Sequence, residues 1–234
     1  IVFFTSTLRP LRGDIIGMSE DGTDCRFYLD PSGMKVQAMD VATIGGEVFL
    51  FAVGKWGRNS AFVSYNLTKG IMGPVHNLGR NGNSSSPRYN FRHTWRIAVN
   101  SDASILYAAR YHLFGFDLTK VGDVYEITGG GNAICSRCYT ATNSGNLDTQ
   151  LVPVSGIDVS PEDDNILYIT SNYRHVVQKL SLDGTQRGLS VVARAGTGSR
   201  AFGMNTEDSG ELNANKVRFN YPNSIHVTAD KILV

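Results

Sequence analysis

RAGTGSRAFGMNTEDSGELNANKVRFNYPNSIHVTADKILV, residues 194–234, is the stretch on which the reading of the fold turns. A small-residue turn, Ala195-Gly196-Thr197-Gly198, opens it, and a polar loop follows. Next come Phe219-x-x-Pro222, a short alternating segment carrying Ile225 and Val227, a polar turn, and the apolar run Ile232-Leu233-Val234. Alternation with period two is the mark of a half-buried strand. The same phrase recurs upstream, and the recurrence is more informative than any single motif.

Apolar triads stand at Ile97-Ala98-Val99, Ile157-Asp158-Val159 and Ile225-His226-Val227, with Met39-Asp40-Val41 as a weaker fourth. Counted between their valines, the spacings are 58, 60 and 68 residues. Each triad is followed by a polar turn and a second apolar segment: Val48–Phe51, Ile105–Ala108, Ile166–Ile169 and Ile232–Val234. A third segment and a fourth follow, the fourth closing in small residues at Thr128-Gly129 and Ala195-Gly196. The N-terminal residues join this register at the second segment, with Ile1–Ser6 parallel to Ile166–Ser171. The approximate repeat units are therefore 1–35 (partial), 36–90, 91–150, 151–218 and 219–234 (partial).

No segment sustains a 3.6-residue apolar period with caps, so the chain is all-β. Four antiparallel strands per unit of about 60 residues predict the blades of a β-propeller. One blade cannot bury both faces of its sheet, so blades must stack around an axis. A β-sandwich is the competing architecture.

Length and charge set further bounds. A chain of 234 residues buries about 70% of its extended surface on folding and needs no metal or disulfide staple. With 22 basic and 21 acidic residues the net charge is +1, which argues against an electrostatic grip on nucleic acid. Apolar runs of only a few residues predict no membrane insertion. The missing initiator Met and the apolar run at the other end predict a mature or excised piece of something longer. Lys231–Val234 and Ile1–Phe4 fall on the same strand of the repeat. Either the two ends share one blade, or they belong to a larger propeller or to neighbouring copies joined through open strand edges.

The pattern Phe-x-x-Pro-x-x-Ile-x-Val, polar turn, Leu-Tyr, Ala-Gly-x-Gly resembles the NHL-repeat β-propellers. Phe219–Val227 matches it well, and Val152–Val159 with Ile166-Leu167-Tyr168 also matches. The segment Phe91–Val99 lacks the proline and glycine, and the unit around Met39 is degenerate. The resemblance implies one of three kinds of activity: protein or RNA binding on a propeller face, an extracellular adhesion-type module, or a metal-dependent lactonase or amidating lyase. It speaks to fold more than to function.

Candidate site residues follow from the repeat. The position between the paired apolar residues of the inner strand reads Asp40, Ala98, Asp158 and His226. Equivalent positions lie at equal radius, so Asp40, Asp158 and His226 could converge on an axial divalent cation such as calcium. The alternative is that they are polar positions beside an aqueous channel. Cys135 and Cys138 follow a Gly129-Gly130-Gly131 turn, without the further ligands of a zinc site or the helix of a redox motif. A local loop disulfide or two free thiols are the readings left. Asn66-Leu67-Thr68 and Asn83-Ser84-Ser85 are N-glycosylation sequons, and Arg12-Gly13-Asp14 is an adhesion-type tripeptide in a hairpin. Arg88–His93 mixes basic and aromatic residues as base-stacking segments do. Taken together, the expected molecule is a non-enzymatic extracellular module that binds a protein or glycan partner or self-associates.

Overall fold

Eighteen strands, and no helix among the described residues, make up the computed structural model, which describes residues 2–5, 15–18, 23, 25–29, 34–57, 59–80, 96–109, 113–119, 124–126, 154–182, 189–196 and 217–234. The chain divides into two compact units, residues 1–95 with 119–123 and residues 96–118 with 124–234.

In the first unit, β1 (Val2–Thr5), β2 (Ile15–Met18) and β3 (Cys25–Leu29) form a three-stranded antiparallel sheet. They correspond to the second, third and fourth strands of a blade. A complete blade follows: β4 (Met34–Ile44), β5 (Glu47–Trp56) and β6 (Asn59–Asn66) pair in order. Its outer strand is broken into β7 (Ile71–Met72) and β8 (His76–Arg80), both paired to β6. One face gathers Met34, Val36, Leu50, Ala52, Ala61 and Val63. The residues of opposite parity, Phe51, Val53 and Phe62, are also buried.

The second unit holds two four-stranded blades. β9 (Arg96–Val99), β10 (Ile105–Ala109), β11 (Leu113–Asp117) and β12 (Val124–Glu126) form the first. β13 (Gly156–Val159), β14 (Ile166–Ser171), β15 (Val176–Leu182) and β16 (Leu189–Ala195) form the second. A two-stranded sheet, β17 (His226–Val227) with β18 (Ile232–Leu233), begins the next.

Stacking is visible in the side chains. Tyr107 and Leu113 of one blade pack with Ile157, Leu167, Val176 and Leu180 of the next. On the far face Val177 turns to Ile225, Val227 and Phe219. Val176 and Val177 are neighbours in sequence, yet each serves a different interface, which is the period-two rule at work. Inner strands β9, β13 and β17 lie side by side in that order. The architecture is therefore that of β-propeller blades.

The ladders also test the alignment of the repeats. Val41 faces Leu50, Val99 faces Leu106, Val159 faces Leu167 and Val227 faces Ile232. Counted along the segments Val48–Phe51, Ile105–Ala108, Ile166–Ile169 and Ile232–Val234, the partner is the third, second, second and first residue, so only the two four-stranded blades of the second unit share one register. The weak triad differs in burial: Val41 is 42% exposed, and the buried inner-strand residues there are Met34 and Val36 instead. A register shift between Val36 and Ala38 separates the two stretches of β4. Gly196 explains the small-residue ending of a unit. Its φ is +106°, and a Cβ there would lie 2.6 Å from the carbonyl oxygen of His175.

Candidate recognition face

The inter-blade junctions of the second unit carry the polar chemistry. Asp158 sits on β13 with its Oδ1 accepting the N–H of Val159 at 2.9 Å. Its Oδ2 crosses to the next inner strand, accepting the N–H of Val227 at 2.7 Å and facing His226 Nδ1 at 3.0 Å. Two of the expected axial residues are thus brought together. Asp40 makes the same local bond, Oδ1 to the N–H of Val41 at 2.8 Å, in the other unit. Among the described residues no three His, Cys, Asp or Glu side chains gather as metal ligands. Here the carboxylate of Asp158 serves as a strand-to-strand clamp.

A second junction lies where these inner strands begin. Gly156 pairs with Thr170, which puts the β14–β15 turn, residues 172–175, at the start of β13. Ser155 is the hub. Its Oγ–H donates to the carbonyl of Pro222 at 2.6 Å, accepts the N–H of Asn172 at 3.0 Å and touches Thr170 Oγ1 at 3.2 Å. One donor and two acceptors exhaust a hydroxyl, so this serine is structural. Arg96, at the start of β9, donates from Nε to the Ser155 carbonyl at 2.7 Å and reaches Asn223 Oδ1 at 3.4 Å. Both partners are neutral, and burial lowers the Arg96 pKa below its usual value. Its neighbourhood therefore carries a positive charge that no carboxylate cancels among the described residues.

His175 closes the same corner. Its Nδ1 accepts the N–H of Tyr221 at 3.1 Å, which leaves the imidazole proton on Nε2. The two rings meet edge-on at 4.9 Å and 73°. Both residues adopt left-handed backbone, φ 55° and 51°, which non-glycine residues take only where surroundings hold them there. Above this scaffold two aromatic rings face solvent, Tyr173 at 43% and Tyr221 at 49% exposure. Asn223 and Ser224 are exposed beside them.

The remaining sequence candidates separate. Asn66 is buried, its Nδ2 donates to Glu47 at 2.6 Å and its Oδ1 accepts the N–H of Lys69 at 2.9 Å. Thr68 Oγ1 accepts the N–H of Val48 at 2.9 Å. Both polar side chains of that sequon are therefore engaged in the blade. Cys135, Cys138, Asn83, Arg12-Gly13-Asp14 and Arg88–His93 lie outside the described residues. Sequence reasoning did not find Ser155, Arg96 or Arg174. Tyr173-Arg174-His175 reads as an ordinary polar turn, and nothing local distinguishes a turn arginine that is buried from one that is not.

No family model matches the chain, and no curated protein does. Solved structures do. An auxiliary nutrient binding protein from Bacteroides thetaiotaomicron VPI-5482 aligns over 92% of this chain at 14% identity and a TM-score of 0.51. One from Bacteroides ovatus ATCC 8483 aligns over 88% at 12% identity and 0.47. The Dos1 propeller aligns over 78% at 5% identity and 0.39. The chain spans 48%, 43% and 43% of those structures, so it corresponds to under half of each. The first likeness agrees with the fold described above.

Proposed function

We propose that this chain is a non-enzymatic binding module of the NHL-like propeller type, working outside the cell, which holds a protein or glycan partner on the face formed where β9, β13 and β17 begin. The observation that carries this is the pair of exposed tyrosines, Tyr173 and Tyr221, set on backbone that Ser155 and His175 hold rigid. Tyrosine offers a large amphipathic surface with only two side-chain torsions to order, and it is enriched at binding sites for that reason. A rigid base lowers the entropy cost of association further. Beneath them, Ser155 and His175 are bonded to backbone groups, as in a scaffold. The Bacteroides thetaiotaomicron structure is that of an auxiliary nutrient binding protein, which is consistent with a recognition role on such a face.

The test is a screen of the intact protein against immobilised glycans and candidate extracellular proteins, repeated with Tyr173→Ser/Tyr221→Ser. Binding that falls by about 2 kcal/mol, roughly thirtyfold, in a variant of unchanged melting temperature is the expected result. Equal binding by both proteins would move the recognition surface elsewhere.

A further inference from the structure

Arg174, in the β14–β15 turn, is 2% exposed. Its Nε and Nη2 are both buried and have no hydrogen-bond partner. These two nitrogens are not an arbitrary pair. Their N–H bonds run parallel along one edge of the guanidinium plane, the edge that receives the two oxygens of a carboxylate side-on. A guanidinium also cannot relieve its burial by losing a proton. Desolvation lowers its pKa, but from a value so high that it stays charged at neutral pH. A buried unpaired charge costs several kcal/mol, and an unsatisfied buried group in a native fold calls for an explanation.

We propose that this turn is a carboxylate-binding site whose fork is the Nε/Nη2 edge of Arg174. Shape selects the ligand class. The two parallel N–H bonds of the fork match the two coplanar oxygens of one carboxylate. Ser171 Oγ, at the end of β14 just before the turn, is likewise buried and without a partner, as is the acceptor Asn172 Oδ1 within the turn. As the turn stands the fork is closed to water, so the carboxylate enters when the turn opens. The neighbouring residue, His175, is held at φ 55°, and strained backbone of this kind gathers at ligand clamps. The inference goes beyond the tyrosine face and does not depend on it, since neither tyrosine supplies the fork.

The experiment is a titration of the full chain with sodium acetate, sodium phosphate and sodium chloride at matched ionic strength, followed by the 15N signal of the Arg174 Nε–H. Acetate is expected to shift that signal saturably, and chloride is not. Arg174→Lys keeps the charge but loses the fork, so acetate affinity measured by calorimetry should fall roughly tenfold or more. Arg174→Met should abolish it. No saturable shift with acetate, tighter binding of phosphate than of acetate, or a wild-type response from Arg174→Met would each overturn the proposal. If neither variant folds, the wild-type titration decides alone, because it reads the fork nitrogen itself.

Discussion

The blade β4–β8 and the blade β13–β16 share one strand plan, and their described polar side chains illustrate two different uses. In the first, Asn66, Glu47 and Lys69 knit the end of β6 to the start of β5 within one sheet. In the second, several reach beyond the sheet. Asp158 grips the N–H of Val227, Ser155 grips Pro222, and Asp164 accepts from both the N–H and the hydroxyl of Ser101 at 2.9 and 2.8 Å. Apolar stacking fills the space between blades without choosing a register along them. Directional bonds to backbone groups do choose one. The comparison therefore assigns register to the junction residues and stiffness to the in-blade ones.

The largest effect should come from closing the space at the junction itself. A Cβ on Gly156 would stand 2.6 Å from Thr170 Oγ1, 2.9 Å from Ser224 Cα and 3.0 Å from the nitrogen of Ile225. Two of those three atoms are backbone of the neighbouring segment and cannot rotate away. Gly156→Ala should cost about 3 kcal/mol, the upper end for overpacking, measured by urea unfolding. A loss below about 1 kcal/mol would mean that the junction is looser than its contacts imply.

Next comes the aspartate clamp. Asp158 accepts the N–H of Val159 and also that of Val227, whose residue is 8% exposed. Asp158→Ala strands that N–H and should cost about 2 kcal/mol in urea unfolding. A loss below about 0.5 kcal/mol would mean that the carboxylate does not hold the two inner strands together.

Much of this fold could be read in the chain because its evidence is periodic. Ile97, Val99, Ile157, Val159, Ile225 and Val227 are all buried, and each repeats an apolar need that a strand imposes locally. What could not be read is what depends on a second segment. Ser155 and Pro222 are far apart in sequence, and only the stacking of blades makes them partners. Arg174 is written like any solvated turn arginine, and its burial is a tertiary fact. Equal radius in the repeat singles out Asp158 and His226. They do meet, but the first reason for Asp158 is a backbone N–H that sequence does not display. Asn66 shows the reverse limit: a sequon is a pattern of three residues, while the availability of its amide is set by Glu47 on the adjoining strand.

The smallest effect belongs to that in-blade clasp, and pH resolves it. Lys69 and then Asn66, both hydrogen-bonded to the Glu47 carboxylate, hold its pKa below the ordinary value of 4.5. A carboxylate depressed in the folded state adds stability that is present above the unfolded pKa and lost as pH falls through the folded one. Near neutrality Glu47→Gln should therefore lower the melting temperature slightly, since the pair is solvent-exposed and screened. Below pH 4.5 the wild type should converge on the variant, and raised salt should bring the two together at neutral pH as well. A gap between them that persisted in acid would place the role of Glu47 in its packing, and the contrast between a directional junction and a merely charged blade end would have to be redrawn.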